Sequence, residues 1–97
     1  SATVDEQWAQ KNLPLVKSLQ KAKYYVQVGA FANPRSAKSA IEEVAKGYQV
    51  AVLPEKGGTK PVYKVFVGPL NEDEKGLLLY LFRSKGYRDA FIKQGQP

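Results

Sequence analysis

Apolar and polar residues alternate with period two around Val26 and Val28, which are separated by Gln27 and followed by Gly29. That is the pattern of a strand buried on one face. Asn33-Pro34 then reads as a helix start, with Asn as N-cap and Pro pre-set for the first helical position. Ala37, Ala40, Ile41 and Val44 recur at helical spacing as one apolar stripe, and Gly47 supplies a left-handed C-cap. Tyr48 to Leu53 is a second strand, apolar at both parities, so alternation leaves its orientation open. The polar stretch Glu55 to Pro61, with Gly57-Gly58 inside it, predicts a hairpin loop into a third strand, Val62 to Val67. Asn71 caps a second helix whose first turn, Glu72-Asp73-Glu74, sets negative charge against the positive end of the dipole. Glu74 stands in the capping-box position. Gly86 stops that helix, and Arg88 to Lys93 is the last strand.

The pattern recurs. Tyr24, Val26, Val28 and Gly29 are answered by Tyr63, Val65, Val67 and Gly68, each 39 positions on. The same offset links Lys46-Gly47-Tyr48 to Lys85-Gly86-Tyr87 and Ala51 to Ala90. A fixed offset across several landmarks marks a duplicated supersecondary unit. The predicted order is βαββαβ, an α+β fold of the ferredoxin or RNP-like type. It has a four-stranded antiparallel sheet with two helices on one face and the other face open. If Val26, Val28, Val65 and Val67 face the helices, then Tyr25, Gln27, Lys64 and Phe66 face outward. On the last strand Ala90 and Ile92 suit the core, which turns Asp89, Phe91 and Lys93 out.

Residues 1–22 have no counterpart in the repeat. Ser1-Ala2-Thr3 reads as a disordered end. Pro14 interrupts any single long helix, but Pro14 to Gln20 fits a short one with Leu15, Val16 and Leu19 on one face. The expected organisation is an N-terminal linker or short helix over 1–22, the domain over 23–94 and a polar tail over 95–97. The second helix carries six consecutive apolar residues, Leu77 to Phe82, more than one sheet face can bury. The expected cover is the N-terminal segment through Trp8, Leu13, Leu15 or Val16; the competing arrangement is a homodimer.

Composition removes function classes. The chain has 97 residues, one small domain, with 43% hydrophobic residues for a small packed core. It has no Cys and no His, so disulfides, thiolate metal sites and the commonest general base are all missing. Glu72-Asp73-Glu74 is explained by capping, and Glu42-Glu43 are helix neighbours that do not face each other. No enzyme, cofactor or metal is expected. The net charge of +6 favours polyanionic partners. No apolar run approaches the length of a membrane span. Without any Met, the chain reads as a fragment or processed form, so a missing targeting segment is uninformative.

Val26-Gln27-Val28-Gly29-Ala30-Phe31, the helix ending at Gly47, Tyr63-Lys64-Val65-Phe66-Val67-Gly68-Pro69-Leu70 and Asp89-Ala90-Phe91-Ile92 together resemble the SPOR (sporulation-related repeat) domain. The resemblance covers roughly Lys23 to Lys93. It implies the βαββαβ fold and binding to bacterial peptidoglycan, specifically glycan strands whose stem peptides amidases have removed. Such strands accumulate at division septa, so it also implies an envelope location, periplasmic or extracytoplasmic, and division or envelope proteins as further partners. The parent protein would be membrane- or lipid-anchored and the domain monomeric. Two positions depart from the family. Ala30 stands where Ser is frequent, and Lys64 where Arg is common, which keeps the charge but gives up bidentate recognition.

The open face is the expected glycan site. Tyr25, Phe66 and Phe91 would stack on sugar faces, and Gln27 would donate to and accept from hydroxyls. Lys64, Lys93 or Arg35 would meet the free lactyl carboxylate of muramic acid. Phe31 has two readings, an anchor in the core or one end of the groove. Two alternatives come from other classes. One is a single-stranded RNA-binding domain of the RRM type, which shares strand order and outer aromatics; Val62 to Val67, however, lacks the glycines of the RRM motif, and nucleic acid is not the expected partner. The other is a protein-interaction domain acting through the apolar second helix.

Overall fold

The computed structural model describes residues 2–44 and 46–96, with side chains from Val4 onward. Its elements are α1 (Ala2–Asn12), β1 (Tyr24–Phe31), α2 (Pro34–Val44), β2 (Val50–Lys56), β3 (Pro61–Leu70), α3 (Glu72–Ser84) and β4 (Phe91–Gln94). The four strands form one antiparallel sheet in the order β2-β3-β1-β4, with α2 and α3 packed against it. This is the βαββαβ fold that the duplicated pattern predicts.

Local chemistry accounts for the element boundaries. The Asn33 side-chain oxygen accepts from the Arg35 N–H at 2.9 Å, which caps α2. The Glu74 carboxylate accepts from the Asn71 N–H at 2.8 Å, which closes the start of α3. Gly47 and Gly86, beyond the ends of the two helices, both have positive φ. The β2–β3 hairpin pairs Lys56 with Pro61 across the glycine loop. Strand limits differ slightly from the sequence reading. β2 starts two residues later, and β4 is only Phe91–Gln94, because residues 88–89 turn and the Ala90 N–H bonds back to the Tyr87 carbonyl.

The main core lies between sheet and helices. Val26, Val28, Val65 and Val67 meet Ala37, Val44, Leu78, Phe82 and Ala90 there. A second, smaller cluster lies on the opposite face, where Tyr25, Ala51 and Phe66 are buried with Leu19, and Val16 and Leu53 pack at its margin. The ambiguous β2 is thereby explained. Val52 belongs to the helix-side core and Ala51 to the second cluster, so both parities are apolar because both faces are covered.

The N-terminal segment makes this difference. Its helix is Ala2–Asn12 rather than Pro14 to Gln20, and it ends before Pro14, as the residue preceding a proline is disfavoured in the α region. The expected disordered end at Ser1-Ala2-Thr3 is not what α1 shows from Ala2 on; Ser1 lies outside the described residues. α1 packs on α2, not on α3: Arg35 pairs with Asp5 at 3.1 Å and lies 4.8 Å from the centre of the Trp8 ring, while the Lys38 ammonium donates to the Asn12 carbonyl. The cover expected for the apolar run of α3 is therefore elsewhere. Leu78 and Phe82 are buried, but Leu77 and Tyr80 remain about 70% exposed.

From Pro14 the chain runs as a strap across the sheet. Its first end pairs with the free edge of β2, where the Val16 N–H bonds to the Val52 carbonyl and the Val52 N–H to the Pro14 carbonyl. Its second end pairs with the last residues of the chain, through Ala22 N–H to Gly95 carbonyl and Gly95 N–H to Lys23 carbonyl. Leu15 packs toward the helix-side core while Val16 packs toward the second cluster, an alternation that belongs to extended chain, not to a helix. The expected polar tail is tied down at Gly95; Pro97 lies outside the described residues.

Candidate functional site

The outer face of the sheet is where the sequence places the site, and the structure divides it in two. The strap crosses at the end where β1 and β2 begin. Beneath it Tyr25 is 2% exposed and Phe66 fully buried, with ring centroids 6.0 Å apart in an edge-to-face arrangement. The Tyr25 hydroxyl accepts from the Gln20 backbone N–H at 2.9 Å. The parity assigned to these two aromatics is right, but the face they occupy is not open. They are core to the strap, and a base or sugar has no access to them. The stacking platform required by the RNA reading is lost with them.

The other half of the face is uncovered. Cross-strand register sets Leu53 opposite Lys64, Lys64 opposite Ala30, Phe66 opposite Gln27, and Gln27 opposite Phe91. Gln27, Lys64 and Phe91 therefore share one surface, with Lys93 beside them opposite Tyr25. Phe91 is 44% exposed, so part of its ring is open to solvent. Gln27 is mostly buried, yet no side-chain hydrogen bond holds its amide and it retains some contact with solvent. Lys64 donates to Glu55 at 2.8 Å. That hydrogen bond first, and then the Lys64 charge, holds the Glu55 carboxyl below its ordinary range, with a smaller contribution from Lys93. The resulting surface offers an amide, an aromatic ring and cations, one of them already neutralised.

Two expected site residues lie elsewhere. β1 has an irregularity between Gln27 and Gly29, where two residues oppose one step of β3. That bulge moves Ala30 to the outer face and turns Phe31 to the helix side, opposite buried Tyr63. The Phe31 ring folds back so closely over Gly29 that a Cβ there would lie 2.8 Å from it. Of its two readings, the anchor is the one observed. Arg35 sits on α2 in the helix layer, engaged by Asp5 and Trp8, and cannot share a ligand with Gln27. Nothing in strand alternation reveals the bulge, since it arises from pairing.

Lys17, Ser18 and Leu53 carry no signal of their own in the sequence, and Leu19 reads there only as one apolar position of a short helix. With Lys93 and Gln94 they line a cleft of about 200 Å³ beside the strap. The signal available was β2, apolar on both faces, which announces a second cover. Among the described residues no His, Cys, Asp and Glu cluster fits a metal ion, and no helix is long and apolar enough to cross a membrane.

Comparison with known proteins agrees with the fold. No curated protein and no solved structure matches the chain. The family model of the SPOR domain matches residues 20–94, which take in the whole sheet, α2, α3 and the last strap residues. With the match spanning most of the chain and the βαββαβ order in place, the chain belongs to the SPOR domain family, a family of peptidoglycan-binding modules.

Proposed function

We propose that this domain binds peptidoglycan glycan strands from which the stem peptides have been removed, and so takes its parent protein to the division septum. The binding surface in this reading is the uncovered half of the outer sheet face, with Gln27, Phe91, Lys64 and Lys93. The observation that carries it is the unpartnered Gln27 amide beside the exposed Phe91 ring. A pyranose has an apolar face for the ring and hydroxyls that need both a donor and an acceptor, which an amide supplies. Tyr25 and Phe66 serve as support. Returning these two aromatics to the surface would cost about 3–6 kcal/mol in lost burial, so a ligand gains more from the half already open.

The role is non-catalytic and needs no cofactor. Pull-down with isolated sacculi, before and after amidase treatment, tests it. Binding should rise when stem peptides are removed, and Gln27→Ala should weaken it with the fold intact; binding that is indifferent to amidase treatment would refute the denuded-strand reading.

A second reading attaches to α3, where Leu77 and Tyr80 are exposed on a helix otherwise packed on the sheet. It assigns this helix to contact with another envelope or cell-division protein. Concentration-independent sedimentation as a monomer would exclude self-association as the use of that patch.

A further inference from the structure

We infer that the cleft between residues 17–19 of the strap and β4 is a subsite for the carboxylate of an acidic amino sugar, held by Lys17 and Lys93. The inference rests on the peptidoglycan reading and adds to it a site that the family match does not supply, because Lys17, Ser18 and Leu19 precede the matched region, residues 20–94.

The cleft has the right parts. Leu19 and Leu53 supply apolar walls, and Ser18, Gln94 and the two lysines supply polar groups. Its volume of about 200 Å³ would hold about seven waters at roughly 30 Å³ each, room for a sugar-sized group rather than a bare ion.

The two lysines of the cleft lack a close acidic partner among the described residues. Among the described residues Lys38, Lys64 and Lys75 each donate to or pair with an oxygen, and Arg35 pairs with Asp5. Lys17 and Lys93 line the same cleft, and among the described residues neither has an ion pair or hydrogen bond, the Lys93 charge acting on Glu55 only as a minor influence. Two cations lining one cavity raise the local potential for an anion, and a compact carboxylate suits an ammonium point charge. A peptide-free muramic acid carries such a carboxylate on a ring with an apolar face.

The fold holds the wall in place. The strap is fastened on both sides of Lys17, at Val52 and at Gly95. At Gly95 the strap passes so close that a Cβ would collide with the Gln20 carbonyl, which ties the geometry of the cleft to that glycine. The site is thus built by a segment outside the duplicated unit.

The test compares two soluble probes on the whole 97-residue chain by calorimetry and amide chemical shifts. One is the peptide-free tetrasaccharide of alternating N-acetylglucosamine and N-acetylmuramic acid; the other is chitotetraose, the same backbone without carboxylates. The wild type should prefer the muramyl probe, with shifts at residues 17–19 and 93–96. Lys17→Gln should reduce that affinity by up to about fivefold, the scale of an exposed ion pair, and leave chitotetraose binding unchanged, and Lys93→Gln should reduce the muramyl affinity to a similar extent. Lys38→Gln removes the same charge on α2 and should alter neither. A preference that survives both cleft substitutions, or that Lys38→Gln reduces equally, overturns the subsite while leaving peptidoglycan binding standing. If the wild type binds neither probe nor sacculi, both the subsite and the reading beneath it are overturned.

Discussion

The Gln20 backbone N–H donates to the Tyr25 hydroxyl at 2.9 Å, so the strap and the strand it covers are joined by residues five positions apart. The bond satisfies two groups at once. The Tyr25 hydroxyl lies under the strap, and the extended strap backbone has no helix to take its N–H. Tyr25→Phe should lower stability by about 1 kcal/mol, the usual net value of such a bond. In a domain of this size that is roughly 4–8 °C of melting temperature. Hydrogen exchange at the Gln20 amide should accelerate most. An unchanged melting curve would mean that the strap is not part of the cooperative unit.

Leu19 is the strap's apolar anchor, buried against Tyr25, Ala51 and Phe66. Leu19→Ala should destabilise the domain by about 2–3 kcal/mol, at the lower end for a buried leucine because the site borders solvent. Urea unfolding checks the loss. Increased binding of a hydrophobic dye before the main transition would show the strap lifting from Phe66 ahead of the sheet.

Gly68 meets two demands. Its φ is +146°, and a Cβ would lie 2.8 Å from the Tyr25 ring and 2.9 Å from the Tyr24 carbonyl oxygen. Gly58 also has positive φ, +132°, but open space around it. Gly58→Ala should therefore show the backbone strain alone, about 1–3 kcal/mol, while Gly68→Ala costs clearly more. Equal losses in thermal denaturation would show that the approach to Tyr25 is unimportant.

The Glu55 carboxyl is held below its ordinary value of 4.5, first by the hydrogen bond from Lys64 and then by its charge. A folded pKa below the unfolded one means that the contribution to stability is present above the unfolded value and disappears as pH falls through the folded one. Lys64→Gln should raise the Glu55 midpoint in an NMR titration, and the acid side of the stability profile should flatten below about pH 4.5. A midpoint that does not move would assign the shift to other charges.

Much of the fold was legible in the chain. The period-two valines, the Asn33-Pro34 and Asn71 caps and the 39-residue offset specify βαββαβ because each acts locally, through side-chain alternation and the unsatisfied ends of helices. The parity of Tyr25, Gln27, Lys64 and Phe66 followed from the same rule. Phe31 escaped it because a bulge resets parity, and a bulge exists only once two strands are paired.

The candidate site was half legible. The sequence by itself determined which residues share the outer face, since alternation is a property of one strand. Only the tertiary structure decided which of them a ligand can reach. Val16 and Leu19 are three apart, a spacing that fits a helical turn as well as a strap. The choice fell to long-range partners: the free edge of β2 at Val52, the hydroxyl of Tyr25 and the backbone of Gly95. Those contacts bury Tyr25 and Phe66, leave Lys64, Phe91 and Lys93 in reach of solvent with the mostly buried Gln27 between them, and place Lys17 beside Lys93 from the far end of the chain.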